Sequence, residues 1–346
     1  MGERLGGKDW DEELQMITFI VRRLLGMIPT FLVVSFIVFF IIQLPPSNWI
    51  ERHIENLALE QGTFTSERHL QLAHELTERY NLDRPYLLQY GSWILNFLRG
   101  DMGESFEYGQ EVSVLLAKRI PYSIMISLLS LFFVYSIGIP IGIYCALNQN
   151  KISDTIATIA GFIGLSIPNF FLALILMVFG LYVLDLPVGG LFSPEYEDAP
   201  WSFGKFIDFL QHVWVAVVVI GTAGTAGIIR VVRGNLLDVL GEPYITALRA
   251  KGLPEKMVTI KHAVRISINP VITGLGMWLP SLISGETIVS IVMNIPTAGP
   301  LLFGALQSED IYLSGSILMV LCLFLLIGNL LADIALAWFD PRIRYD

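Results

Sequence analysis

Six stretches of this 346-residue chain are apolar over lengths that a soluble core seldom demands, and that constrains the fold more than anything else in the sequence. A helix rises about 1.5 Å per residue, so about 20 apolar residues in a row cross the hydrocarbon of a bilayer. Leu24–Leu44 reaches this length with only Thr30, Ser35 and Gln43 as polar breaks. Ile120–Leu147, Ile156–Leu184, Val213–Ile229, Val271–Ile295 and Ile311–Phe339 are the other five. Only 15% of residues are charged, where a soluble domain carries about 25%, so much of the surface does not face water. The expected fold is all-α, a polytopic membrane protein with six transmembrane helices. Arg22 and Arg23 precede the first apolar run, which ends in Pro45–Pro46. It is too long for a secretory leader and lacks a small-residue cleavage site, so it reads as an uncleaved span.

Lys and Arg in short segments set the orientation. Arg4, Lys8, Arg22 and Arg23 lie before the first span, Lys151 between the second and third, and Arg342 and Arg344 at the end. Between the fourth and fifth spans lie Arg230, Arg233, Arg249, Lys251, Lys256, Lys261 and Arg265. The short loops of the opposite side offer only Lys205 in one and no base in the other. The long loop after the first span has seven bases but is of a length that translocates largely regardless of charge. Both termini are therefore expected in the cytoplasm. The net charge of −9 then collects outside: Asp185, Glu195, Glu197, Asp198 and Asp208 share one outer segment, and Glu309 and Asp310 another. No basic footprint for nucleic acid is present.

The expected organisation is a cytoplasmic tail at 1–16, a first transmembrane helix at 17–44, an external loop with short helices at 45–119, and a five-helix core at 120–346 carrying a cytoplasmic loop at 233–265. In the external loop, Glu67–Tyr80 places Leu70, Leu72, Ala73, Leu76 and Tyr80 near helical spacing. Leu87–Leu98 is an apolar-aromatic helix suited to the membrane interface, and Gly100–Asp101 ends it.

Catalytic patterns fail on inspection. Gly2–Lys8 has the outline of a phosphate loop, yet Asp9 follows where Ser or Thr is needed for magnesium, and no strand precedes it. His74–Glu75 opens a zinc-protease-like string, but Glu78 stands where the second histidine belongs. Gly164–Ser166 lacks the spacing of a nucleophile elbow. Cys145 and Cys322 both sit in apolar runs and suggest neither a disulfide framework nor a metal site.

The cytoplasmic loop Arg233–Pro270 is laid out as helix, break, helix. Pro243 suits a first helical turn, Gly252 a stop, and Pro254 a second start. From charge alone it is a loop obeying the positive-inside rule. Its residue string adds more. Thr246, Ala247 and Leu248, followed by Ala250–Lys251–Gly252 and then His262–Ala263 with Arg265, resemble the cytoplasmic loop of ABC-importer permeases, in the dipeptide/oligopeptide branch. Arg22–Val34, Asn81–Pro85 with Gly100–Gly103, Gly164–Ala173 and Asp340–Arg344 also resemble that branch, in the right order along nearly the whole chain.

The resemblance implies a pore-forming subunit in the cell membrane, paired with a second homologous permease, two ATPase subunits and an external solute-binding protein. ATP and Mg would be held on the ATPase chains and no cofactor on this one, which would not be an enzyme. Ala247, Ala250, Lys251, Gly252, Leu253, Pro254, Glu255, Lys256, His262 and Arg265 would form the loop that couples to the ATPase. Peptides are the implied solutes, with oligosaccharides and nickel complexes carried by some members. A secondary transporter without an ATPase is the rival class; such proteins often show inverted repeats and paired broken helices, neither of which is evident here.

Three positions in the spans are candidates for the solute path: Glu286, Ser290 and Pro168. Glu286 and Ser290 lie one turn apart on one face, and an acid at this depth should face protein or water. The family's acidic residue falls at Ser290, so Glu286 reads either as a path or gating residue or as a carboxyl bonded to a neighbouring helix. Pro168 is expected to kink the third span. Gly221, Ala223, Gly224 and Gly227 suit close helix packing or contact with a partner permease. Asp333 reads as a capping or interface residue. The acids of Pro194–Pro200 read as a solvated outer face or as a contact for a binding protein.

Overall fold

The computed structural model describes residues 5–43, 54, 66–79 and 84–339. The Pro45–Pro46 end of the first span, Asn81–Asp83 and Asp340–Arg344 lie outside the described residues. Regular structure among them is helical apart from one antiparallel bridge, Glu104 to Glu111. The helices are α1 (Leu5–Ile42), α2 (Ser66–Arg79), α3 (Tyr86–Leu98), α4 (Val112–Leu147), α5 (Ile152–Ser166), α6 (Asn169–Tyr182), α7 (Phe203–Leu240) and α8 (Pro243–Ala250). After these come α9 (Glu255–Met257), a π-helical stretch Val258–Val264, α10 (Arg265–Ser267), α11 (Asn269–Val292), α12 (Ala298–Gln307) and α13 (Ile311–Phe339). Ile17–Ile42 of α1, all of α4 and α7, and Ile311–Ala337 of α13 are long and apolar enough to cross a membrane, and the bent pair α5–α6 makes a fifth if it is one span.

The third expected span is not one helix. Proline lacks an N–H and pushes the residue before it out of the α region. Ile167 accordingly sits at φ −80°, ψ 123° and Pro168 at φ −58°, ψ 134°, and the chain bends by 101° between α5 and α6. The fourth expected span, within α7, extends well beyond its apolar centre Val213–Ile229. The Ser202 hydroxyl caps it by accepting from the Lys205 backbone N–H at 3.2 Å, and helical geometry continues through the basic end to Leu240.

The chain forms two compact units, one of Met1–Leu25, Tyr122–Gly299 and Phe324–Asp346, the other of Gly26–Pro121 and Pro300–Leu323. In the first, α7 is the central element. Phe209, Val213, Ala216 and Val219 are buried on it with Ile126 of α4, Ala173 of α6, and Val289 and Met293 of α11. The α4–α7 approach is set by Gly138 and Gly142, one turn apart: a Cβ there would come within 2.9 Å of Ile228 and 2.8 Å of Val232. This relocates the small-residue packing expected at Ala223 and Gly227. Gly221 does press on Phe133, but a Cβ on Gly227 would meet open space. The basis is that a groove needs small residues only where a neighbour's bulk enters it, and the bulk here is supplied by α7 itself. Asp333 pairs with Arg23 at 3.2 Å.

In the second unit Val112, Leu115 and Leu116 pack with Leu301, Ala305, Leu313 and Ile317. Val38 of α1 packs with Ile94 and Phe97 of α3 and Met319 of α13. Tyr90 and Ser35 share a hydrogen bond of 2.7 Å between hydroxyls, and Tyr90 meets Phe36 edge-on at 5.3 Å.

Two acids of the expected outer segments, Asp310 and Asp208, are buried. Asp310, fully buried, accepts from the Leu313 N–H at 3.0 Å, the Ser105 hydroxyl at 2.6 Å and the Glu107 N–H at 3.2 Å. Asp208 accepts from the backbone N–H and hydroxyl of Ser193 at 2.8 and 2.6 Å. Lys205, 4% exposed, donates to the carbonyls of Glu197 and Ala199 and lies 4.4 Å from the centre of the Phe192 ring. Burial of an ionised group is tolerable when hydrogen bonds replace its water, and each of these groups has them.

Candidate functional site

The loop that follows α7 is built from local punctuation. α7 stops at Gly241, whose N–H bonds the carbonyls of Leu237 and Asp238. Pro243 then occupies the first turn of α8, where its missing N–H removes no helical bond. After Ala250 the chain reverses through Lys251 and Gly252. Gly252 adopts φ +79°, a left-handed value that a side chain disfavours, and its N–H bonds the Arg249 carbonyl at 2.9 Å. Pro254 opens α9, its carbonyl accepting from Met257 and Val258.

Across this turn Arg249 grips Glu255 with two parallel bonds, Nε to Oε2 at 3.0 Å and Nη2 to Oε1 at 2.7 Å. The guanidinium holds the Glu255 carboxyl below its ordinary 4.5. A depressed carboxylate contributes stability above its unfolded value and loses it only as pH falls through the folded one. A spin label at Lys251 should therefore keep constant mobility from about pH 6 to 8 and loosen only in acid. In Glu255→Ala it should be mobile throughout. Mobility rising through neutral pH in the unaltered chain would contradict this tie.

One face of the helix pair is docked. Ile245 of α8 and Val258, Ala263 and Val264 of the π-helical stretch are buried with Ala146 of α4 and Leu236 of α7; Leu248 and Leu253 pack against this cluster. The opposite face is exposed, and it carries Ala247, Ala250, Lys251, Gly252, Pro254, Glu255 and Lys256, with Met257 and Ile260 beside them. Sequence-marked residues from Thr246 to Lys256 thus share one protruding turn. His262 and Arg265 stand at the other end of the second arm, where a seven-residue π-helical stretch replaces the expected simple α-helix. A π-helical register rotates successive side chains differently from an α register, and here it puts Val258, Thr259, Ala263 and Val264 inward together.

An ion pair that sequence reasoning missed braces the base of this loop. Arg233 donates through Nε and Nη2 to the two oxygens of Asp154, both at 2.8 Å, and the Asn150 N–H adds a third bond at 3.1 Å. Asp154 is 4% exposed. The bidentate geometry fixes α5 to α7 in angle as well as distance. The available signal was a lone acid three residues after Lys151, between two apolar stretches.

Glu286 and Ser290 are both buried on α11. The polar neighbours of Glu286 are the hydroxyls of Ser123 and Thr297, and no hydrogen bond to either carboxyl oxygen closes among the described residues. Ser123 also receives the Ala298 N–H at 2.8 Å, tying α4 to the start of α12. Pro168 stands elsewhere, at the α5–α6 break.

A bundle of long apolar helices with a docked helix pair at its basic end defines a polytopic membrane protein. Residues 138–345 match the family described as binding-protein-dependent transport system inner membrane component, and the chain belongs to that family. It is a transport component rather than an enzyme, and its place is the membrane. It is 33% identical to the oligopeptide transport system permease protein AppB of Bacillus subtilis (strain 168), over 95% of this chain and 100% of that one. It is 31% identical to the dipeptide transport system permease protein DppB of Escherichia coli (strain K12), over 95% and 99%. It is 30% identical to the oligopeptide transport system permease protein OppB of Haemophilus influenzae (strain ATCC 51907 / DSM 11121 / KW20 / Rd), over 95% and 100%.

Proposed function

We propose that this chain is the pore-forming permease subunit of an ATP-driven peptide importer. The observation that carries the reading is the near full-length match to three permeases named for oligopeptide or dipeptide transport. In this reading α1, α4, the α5–α6 pair, α7, α11 and α13 are the six spans, both ends of the chain are cytoplasmic, and α2 and α3 lie outside. A second permease completes the pathway, two ATPase subunits hold ATP and Mg, and an external binding protein delivers solute.

The exposed turn from Ala247 to Lys256 docks on an ATPase subunit. Its inner face is packed on the ends of α4 and α7, which supports rigid transmission: a push on the turn moves those spans as bodies. The Asp154–Arg233 brace extends the coupled group to α5. Glu286, Ser290 and Pro168 belong to the solute path or its gate.

Purifying the tagged chain from its native membrane in mild detergent tests the assembly. Recovery with a second permease and ATPase subunits is the expected outcome. Recovery alone, with solute movement in ATP-free vesicles, would overturn the reading in favour of a secondary transporter.

A further inference from the structure

α5 and α7 are tied at one end by the Asp154–Arg233 pair and close against each other further in, where Gly161 and Gly164 face Ala226 and Thr222. A Cβ at Gly164 would come within 2.7 Å of the Thr222 methyl. Beside this seam lies a cleft of about 290 Å³. Nothing in the transport reading assigns it a role.

The cleft is polar towards the ion pair and apolar along the rest. Ala157, Gly161, Phe162 and Leu165 of α5 and Ala226 and Ile229 of α7 give it hydrocarbon walls, and Phe162 and Leu165 are exposed. Thr158, Arg230 and Arg233 supply its polar groups. Arg233 is committed to Asp154 by two bonds of 2.8 Å, and that pair is neutral as a unit. Arg230 therefore gives the lining its net charge. It is exposed, and its guanidinium stands 5.7 Å from the centre of the Phe162 ring, over a wall of the cleft.

Depth and length both match a lipid. Arg230 is the first charge after the apolar run Val213–Ile229, which puts it where hydrocarbon gives way to headgroups. From Ala157 to Leu165 the wall rises about 12 Å, against about 15 Å for one leaflet of a bilayer core. A methylene chain in the cleft with an anionic phosphate at Arg230 satisfies both ends at once. One turn of a helix with its side chains takes roughly 500 Å³, so the space suits an acyl chain and not a partner's helix.

We propose that the α5–α7 cleft binds one anionic phospholipid, with an acyl chain along Phe162 and Leu165 and the phosphate on Arg230. Such a site needs only the membrane location of the chain and stands apart from the peptide-importer reading. A lipid so placed lies beside the Asp154–Arg233 brace and adds a contact to both helices.

The test is native mass spectrometry of the full chain, with the subunits that copurify in mild detergent. The probes are dioleoylphosphatidylglycerol, dioleoylphosphatidylcholine and glycerol phosphate. The anionic lipid should be retained about fivefold or more tightly than the zwitterionic one, the contribution of one basic residue near an anionic headgroup. Arg230→Gln should abolish that difference and Arg230→Lys should keep it. Ala157→Trp, which fills the cleft, should abolish retention of the anionic lipid. Glycerol phosphate should not displace it, since the acyl chain is part of the ligand. A photoreactive group in place of Leu165 should label lipid. Equal retention of the two lipids, a preference that survives Arg230→Gln or Ala157→Trp, equal loss in both Arg230 variants, displacement by glycerol phosphate, or labelling of a partner protein from position 165 would each overturn the site. The two Arg230 variants alter one exposed position, so a difference between them is not a failure to fold.

Discussion

If the turn at Gly252 docks on an ATPase subunit as proposed, Gly252→Pro should uncouple transport while leaving the chain inserted. Solute-stimulated ATP hydrolysis and uptake are both expected to fall about tenfold or more, since a proline where φ is far from −65° and the N–H is bonded costs more than about 1 kcal/mol. The reason is geometric. Proline fixes φ near −65°, where the turn needs +79°, and it removes the N–H that bonds the Arg249 carbonyl. The turn must open, the Arg249–Glu255 clamp loses its register, and the exposed face from Ala247 to Lys256 no longer presents one surface. Gly252→Asn is the control, because asparagine tolerates the left-handed region, and it should retain most of the coupling. Equal activity of Gly252→Pro and the unaltered chain would sink the coupling assignment. Equal loss in both variants would show that the side chain, not the backbone, obstructs docking.

Asp310→Ala should give a comparably large effect on stability rather than coupling. The carboxylate caps α13 and receives the Ser105 hydroxyl and the Glu107 N–H, all in a buried setting. Loss of a helix cap costs about 1 kcal/mol, and each of the two other donors left unmatched about 1–3 kcal/mol, so about 3–7 kcal/mol in all. A fluorescence melt of the purified chain should show a transition several degrees lower. Asp310→Asn keeps an acceptor and should fall between the two. An unchanged melt in Asp310→Ala would mean that water replaces the carboxylate without penalty.

Local features were legible before the structure, and long-range ones were not. The helix–turn–helix after α7 was readable because Pro243, Gly252 and Pro254 act on their own backbone neighbours. α2 and α3 were readable from periodicity, and the break at Pro168 from the chemistry of proline, though nothing local encodes a bend of 101°. The burial of some charged residues was not legible. Asp208, Lys205 and Asp310 stand in polar segments, where solvation is the ordinary expectation, and their burial depends on partners that only folding brings near. Ser105 lies 205 residues from Asp310. The Asp154–Arg233 brace joins residues 79 apart, and Arg233 gave only a topological signal. At the candidate site, the exposed turn could be outlined in the sequence, but its division into a docked and a free face could not. That division depends on which side chains Ala146 and Leu236 meet.

The segment from Asp185 to Asp208 hides its charges in a balanced way. Lys205, its only base, is turned inward onto carbonyls and ring faces, and Asp208 is buried against Ser193. Asp185, Glu195, Glu197 and Asp198 remain exposed. An approaching molecule therefore meets acids with no exposed base among them. Fields of this kind speed the encounter with a positively charged partner and fade with added salt, over a screening length of about 10 Å at 0.1 M. The segment acts as an electrostatic beacon, and such an encounter would be fastest in dilute media.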